Sequence, residues 1–271
     1  MSIKISHEAP LSFLEASLYF NDYDYALVHL FSECAKYRDF FSKCLKLGRE
    51  VILDNSVQEL GQAYSGDNYA SWIEKLQPTY YIIPDVLEDC NRTIENCQMW
   101  LAKYNLPGKK IGVVQGKTYE EIVKCYKYMD AHVDKIGISF DYSYYEKSTP
   151  HPSKCISWML GRIGLLGKLA KDGIINTEKP HHLLGASNPR EFSFYAPYKW
   201  IRSLDTSSPI VHGICGIEYD DFGLWEKKSI KIPELLNYEP KGNQDVERIM
   251  HNIQRFREFV NYGEYVNYKA F

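Results

Sequence analysis

Three aspartates and one glutamine stand where apolar runs end. Asp54 closes "EVILD", Asp85 closes "TYYIIPD", Gln115 follows "IGVV", and Asp205 closes "WIRSLD". A strand buried on both faces is apolar, so a polar side chain at its exit marks either a turn or a site. Taken singly, each aspartate reads as a helix cap or an Asx turn. Taken together, four polar residues at equivalent strand ends describe one polar mouth. Two carboxylates at such a mouth suit displacement at an anomeric carbon, one attacking while the other handles the proton. A third carboxylate beside a glutamine suits a purine edge, which offers donors and acceptors side by side.

A shared mouth requires parallel strands with their C-terminal ends on one side. The chain supplies an alternation of short Val-, Ile- and Tyr-rich runs with amphipathic stretches. The runs lie at 25–31, 50–54, 79–85, 109–116, 135–140, 181–187 and 200–205, with 210–217 as an eighth. Helical stretches are expected at 58–76, 91–104, 118–131 and 153–171, with a closing C-terminal helix at about 244–262. Thr118 followed three residues later by Glu121 has the form of a capping box, and Asn188 before Pro189 can start a short helix. This alternation predicts an α/β fold, a (β/α)8 TIM barrel, with 1–271 as a single domain. No Gly-x-Gly-x-x-Gly follows the first run, which argues against a dinucleotide-binding sheet. Gly137 and Gly185 fall within the fifth and sixth runs, where backbone can approach a ligand closely. His181 and His182 begin a strand, so they are expected to lie away from the chemical face and carry no role.

At 45% hydrophobic and 25% charged over 271 residues, the chain can bury a sizeable core and is not disordered. No apolar run approaches the roughly 18 residues that span a membrane, and the first twenty residues lack a signal layout. The expectation is a cytoplasmic protein with no membrane partner. The seven cysteines contain no Cys-x-x-Cys pair, so neither a zinc knuckle nor a redox motif is expected. Buried free thiols in a reducing compartment account for them. The net charge of -3 excludes a broadly basic nucleic-acid coat but leaves room for a local basic groove. Two lysine runs, one from Lys109 to Lys127 and one comprising Lys227, Lys228 and Lys231, read first as solvated faces.

In order along the chain, these segments resemble the tRNA-guanine transglycosylase family. "VILDNSVQELG" looks like that family's strand ending in Asp-Ser-Gly-Gly-Phe-Gln, and "YYIIPDVLED" is similar to its Asp-bearing third strand. "GVVQG" matches its Val-Gln-Gly element, and "KIGISF" its glycine-containing fifth strand. "HHLLGASNPREF" is similar to Tyr-Leu-Met-Gly-x-Gly-x-Pro-x-x-Leu, and "IRSLDTSSP" falls where the family has Asp-x-Phe-Asp. Order and approximate spacing hold from about 50 to 206.

The resemblance implies that Asp205 is the covalent nucleophile at C1′ of a nucleotide and Asp54 the general acid/base. It further implies that Asp85 accepts hydrogen bonds from guanine N1–H and the 2-amino group. Gln115 would then donate toward O6, with Asn55 and the Gly137 backbone completing the base site. A carboxylate nucleophile stores the sugar as a glycosyl-enzyme while one base leaves and another arrives. Guanine leaves well only when protonated, which a neighbouring carboxylic acid can do. Two carboxylates in one pocket raise one pKa and keep that acid available near neutrality.

The chain departs from the family pattern in three ways. Ser56 and Val57 replace its Gly-Gly, Leu204 replaces the aromatic before the nucleophile, and only Cys215 follows Asp205. The family's C-terminal zinc site, three cysteines and a histidine, is therefore not expected, and no metal or other cofactor is implied. A short zinc-less barrel of this kind looks more like the virus-encoded branch of the family. That branch exchanges guanine in DNA for a 7-deazaguanine such as 7-cyano-7-deazaguanine, and the modified DNA resists restriction nucleases. The expected partners are thus DNA, with tRNA as the alternative, and a free 7-deazaguanine base. Family members often form homodimers, so a homodimer is also an expectation. Lys199, Arg202 and His212 are candidate nucleic-acid contacts, with Tyr142, Tyr144, Tyr145, Lys147, His151 and residues 207–212 as candidate substrate loops. Two other classes stand beside this one. They are a non-catalytic nucleic-acid-binding subunit and a nucleoside hydrolase in which water takes the place of the incoming base.

Overall fold

The computed structural model describes residues 2–140, 142–220, 228 and 230–269, with side chains as far as 261. Eight parallel strands form its centre: β1 Lys4–His7, β2 Asp24–Leu27, β3 Val51–Asp54, β4 Tyr80–Ile82, β5 Lys109–Val114, β6 Lys135–Ile138, β7 His181–Leu183 and β8 Ile201–Thr206. From β2 to β8 each strand pairs in parallel with the next, and β1 pairs with β8, giving the order β1-β8-β7-β6-β5-β4-β3-β2. The sheet is a nearly closed barrel flanked by helices, the α/β (β/α)8 architecture expected from the alternation. The seam between β1 and β2 is bridged by the turn before β2. Asn21 Oδ1 accepts from the His7 N–H at 2.7 Å, and Asp22 Oδ2 accepts from the Ile5 N–H at 2.9 Å.

The helices are α1 Leu14–Phe20, α2 His29–Glu33, α3 Ala35–Lys46, α4 Val57–Leu60, α5 Gly66–Leu76, α6 Cys90–Lys103, α7 Tyr119–His132, α8 Ser143–Ser148, α9 Lys154–Lys171, α10 Ser208–Ile214 and α11 Asn243–Lys269. Local sequence explains several starts. The Thr118 side chain accepts from the Glu121 N–H, and the Glu121 side chain reaches back, so the capping box that opens α7 is formed. Asn188 caps the 3-10 turn Pro189–Tyr195, with Pro189 at its first position. Every residue of β2, β3 and β6 is buried, because helices cover the outside while side chains fill the barrel within.

Two expected elements differ. The run 210–217 is not a strand: Ser208–Ile214 is helix α10, nucleated by Ser208-Pro209. Its apolar residues face a packed helix instead of a sheet, a distinction a short apolar run cannot make by itself. The eighth strand is β1, at the other end of the chain, where four residues with an exposed Lys4 gave little periodic signal. The run 25–31 is likewise only half strand, since α2 begins at His29. The closing helix α11 packs on α10, where Gly213 allows close approach: a Cβ there would meet Ile249 at 2.6 Å. Asn252, fully buried on α11, donates to the carbonyls of Pro209 and Ile217 and accepts from the Tyr219 N–H. It thereby ties the closing helix beneath the segment that leaves β8. No helix among the described residues is long and apolar enough to cross a membrane.

Candidate active site

A cavity of about 850 Å³ opens at the C-terminal end of the barrel, the end where this fold places its chemistry. All eight strand exits contribute to its wall. Asp54, Asp85, Gln115 and Asp205 all line it, as their positions after apolar runs required. The volume exceeds what one purine needs and suits a ligand of nucleotide size.

Asp205 is held by two donors. His182 Nε2 stands 3.0 Å from its Oδ1, and the Gly185 N–H lies 3.2 Å from both carboxylate oxygens. Gly185 has φ +64°, a left-handed conformation natural to glycine, and this turn at the end of β7 aims its amide at β8. His182 is fully buried, and burial lowers its pKa, with the Asp205 hydrogen bond opposing. The ring is therefore neutral near pH 7. Its network assigns the tautomer: Nε2–H donates to Asp205, and Nδ1 accepts from Ser203 Oγ at 2.9 Å. The expectation that His182 is remote from the chemistry is thus corrected. β7 is only three residues long, so a residue near its start still reaches Asp205 across the barrel interior.

Asp54 occupies a different environment. Its Oδ1 accepts from Tyr25 Oη at 3.0 Å and its Oδ2 from the Ser56 N–H at 2.8 Å. Burial pushes this carboxyl well above the usual carboxylate range, and the charges of Glu59 and Asp205 add to the effect, while the two hydrogen bonds oppose it. Asp54 therefore retains a proton under conditions in which an ordinary aspartate has lost it. Ser56 adopts φ +59°, a left-handed conformation that costs a non-glycine residue on the order of 1–2 kcal/mol. The backbone thus keeps the conformation that glycine would take here. Ser56 Oγ offsets part of the cost by bonding His29 Nδ1 at 2.8 Å.

Tyr25 links the two carboxylates. Its ring stacks on His182 with centroids 5.8 Å apart and planes 18° from parallel, while its hydroxyl holds Asp54. Nothing in the sequence singled it out, because a tyrosine inside an apolar run reads as core.

Asp85 is braced through both oxygens. Asn55 Nδ2 donates to Oδ1 at 2.7 Å, and Gln115 Nε2 donates to Oδ2 at 2.6 Å. Burial raises the Asp85 pKa, and these two bonds oppose the rise. Gln115 is itself oriented: its Oε1 accepts from the Glu88 N–H at 2.8 Å and from Tyr142 Oη at 2.7 Å. The amide nitrogen must therefore face Asp85, with one of its two hydrogens left over.

The remaining expected residues divide. His212 and the serines 207 and 208 line the cavity, and His212 Nδ1 donates to the Ser208 carbonyl at 2.7 Å. Asn55 is fully buried and acts behind Asp85, away from the ligand wall. Gly137 is covered as well, since a Cβ on it would meet Leu184 and Val113 side chains at 3.3 Å; Gly185 is the glycine that reaches the cavity. Lys199 precedes β8 and Arg202 is its second residue, so both sit toward the opposite end of the barrel from the mouth. Tyr142 lies behind Gln115, and Tyr144, Tyr145, Lys147 and His151 are not on the cavity wall. Lys227 lies outside the described residues, whereas Lys228 and Lys231 reach the rim. Glu8 and Glu59 are two further wall carboxylates that sequence reasoning missed. Glu8 follows β1, the strand that went unrecognised. Among the described residues, no group of three or more His, Cys, Asp or Glu side chains is arranged to hold a metal ion.

A scan of protein-family models matches none to this chain, and a search of curated proteins finds no significant match.

Proposed function

We propose that this chain is a base-exchange transglycosylase that replaces guanine in DNA with a 7-deazaguanine base through a covalent Asp205 intermediate. One observation carries the reading: two carboxylates held by different sets of hydrogen-bond donors share a mouth with a braced Asp85–Gln115 pair. Asp205 accepts donors on both oxygens, as an ionised nucleophile does, while burial leaves Asp54 the means to hold a proton.

In the first half-reaction the Asp205 carboxylate attacks C1′ and the C1′–N9 bond breaks. The departing guanine takes the proton of Asp54. In the second, the incoming base gives its N9 proton to Asp54, N9 attacks C1′, and the Asp205 ester bond breaks. Asp85 accepts from the donor-rich edge of the base, and the remaining Gln115 amide hydrogen meets its carbonyl oxygen. A guanine in duplex DNA must leave the stack to enter such a mouth. The ordered resemblance to the transglycosylase family supports the chemistry. The likeness of the segment "LDTSSPIVHGI" to the virus-encoded branch supports DNA over tRNA and a role in protecting viral DNA from restriction. The seven free thiols suit a reducing cytoplasm, that of the host for a viral protein.

The test incubates the protein with duplex DNA or tRNA and labelled guanine, then with candidate 7-deazaguanine bases, and reads nucleosides by mass spectrometry. Exchange into DNA, a trapped DNA–protein adduct, and loss of both in Asp205→Ala are expected. Exchange that persists in Asp205→Ala would sink the mechanism. Exchange into tRNA alone would move the substrate, and release of free guanine without exchange would indicate a hydrolase.

A further inference from the structure

Behind the β7 exit lies an ion pair with no exposure at all. Arg162 on α9 meets Glu191 with Nε–Oε1 at 2.6 Å and Nη2–Oε2 at 2.9 Å, and both side chains are 0% exposed. The third guanidinium nitrogen, Nη1, donates to the carbonyls of Leu184 at 3.2 Å and Gly185 at 2.9 Å. Tyr195 Oη closes the other side by donating to Glu191, and the guanidinium lies 4.8 Å from the Phe140 ring centre. Stability alone does not explain this arrangement. A buried pair is commonly no more stabilising than apolar residues of the same volume, because desolvating two ions costs several kcal/mol.

The pair does fix one thing that apolar residues cannot. Leu184 and Gly185 form the left-handed turn whose amide points at Asp205, and Arg162 grips the carbonyl on each side of that amide. We infer that Arg162, locked by Glu191, is a positioning residue: it holds the Gly185 N–H against both oxygens of Asp205 and so sets the plane of the carboxylate. The inference rests on Asp205 as the reacting group of the proposed exchange. The carboxylate must meet C1′ in line with the departing base, and a misplacement of about 1 Å costs on the order of 100-fold in rate.

The experiment compares wild type, Arg162→Lys and the double variant Arg162→Met/Glu191→Leu. The double variant removes both ions, so it leaves no unpaired buried charge to prevent folding. Two readouts are taken: exchange kinetics, and the Gly185 backbone amide by 15N-edited NMR and hydrogen exchange. In the double variant the Gly185 amide should shift and exchange at least 10-fold faster. Its kcat should fall about 10- to 100-fold, with KM for the polynucleotide within about 2-fold of wild type. Arg162→Lys retains the charge but not the fork, and should fall between the two. A folded double variant with a wild-type Gly185 amide and wild-type kcat overturns the inference. Absence of exchange in wild type counts against the proposed function alone, since the Gly185 amide still reports whether the clamp exists.

Discussion

His182 Nε2 stands 3.0 Å from Asp205 Oδ1, and the same ring is stacked on Tyr25. A neutral imidazole in that position serves as a fixed donor instead of a proton shuttle. Replacing it by phenylalanine keeps an aromatic surface for Tyr25 and removes the hydrogen bond. A hydrogen bond to a charged group contributes about 1.5–3 kcal/mol, so His182→Phe should lower kcat by about 10- to 100-fold. Binding of the free base should be nearly unchanged. Steady-state exchange kinetics with base and polynucleotide varied in turn would check this, and an unchanged kcat would remove His182 from the site.

Asp54 gives the reaction a predicted pH dependence with a definite sign. In the proposed exchange the acid form is needed for guanine to leave, so adduct formation should decline as pH rises through the Asp54 pKa. The Tyr25 hydroxyl stabilises the charged form, and removing it in Tyr25→Phe raises that pKa further. The alkaline limb should move to higher pH. Glu59 acts oppositely: its charge raises the Asp54 pKa, so Glu59→Gln should move the limb to lower pH. Single-turnover adduct formation across pH would read both shifts, and movement of the two variants in the same direction would contradict the assignment.

The proposed base site makes a separate prediction. Asp85 depends on Asn55 and Gln115 for its orientation, so Asn55→Ala should loosen it without touching the sugar chemistry. The KM for the incoming base should rise about 10-fold with little change in the rate of adduct formation. Asp85→Asn places a donor where the base also presents donors, and should raise that KM by about 10- to 100-fold. Titration with the free base by calorimetry would check both. Equal affinity in wild type and Asp85→Asn would assign base recognition elsewhere.

The strand exits were legible in the sequence because fully buried parallel strands make a polar terminal residue conspicuous. Asp54, Asp85, Gln115 and Asp205 followed from that contrast and reach the same cavity. The partners of those residues were less visible. Tyr25 and His182 sit inside strands, where an aromatic or imidazole ring looks like ordinary filling, and their roles depend on contacts between β2, β3, β7 and β8. Glu8 was hidden for another reason: β1 is four residues long and its partner β8 lies at nearly the other end of the chain. Arg162 and Glu191 lie 29 residues apart on α9 and the 3-10 turn, and no local pattern announces that they meet. The helix α10 shows the limit from the other side, since hydrophobic composition without periodicity does not choose between strand and helix.

Away from the site, His7 sets a testable pH dependence of stability. Its ring packs edge-on against Phe20 and Phe256 with centroids 5.8 and 5.7 Å away, and neither ring nitrogen has a hydrogen-bond partner. Burial, aided by the charge of Arg257, lowers its pKa to about 3. The unfolded chain therefore takes up a proton below about pH 6.5 that the folded chain refuses until about pH 3. Stability is lost as pH falls through this window, at roughly 1.4 kcal/mol per pH unit for this residue. His7→Phe fills the same space and has nothing to protonate. Its stability relative to wild type should rise by about 2–3 kcal/mol between pH 7.5 and pH 4.5. Comparing variant with wild type at each pH cancels the contributions of His181, His182 and the buried carboxylates. Urea unfolding at the two pH values would measure it, and a difference that does not change with pH would show that His7 is protonated, or paired, in the folded protein.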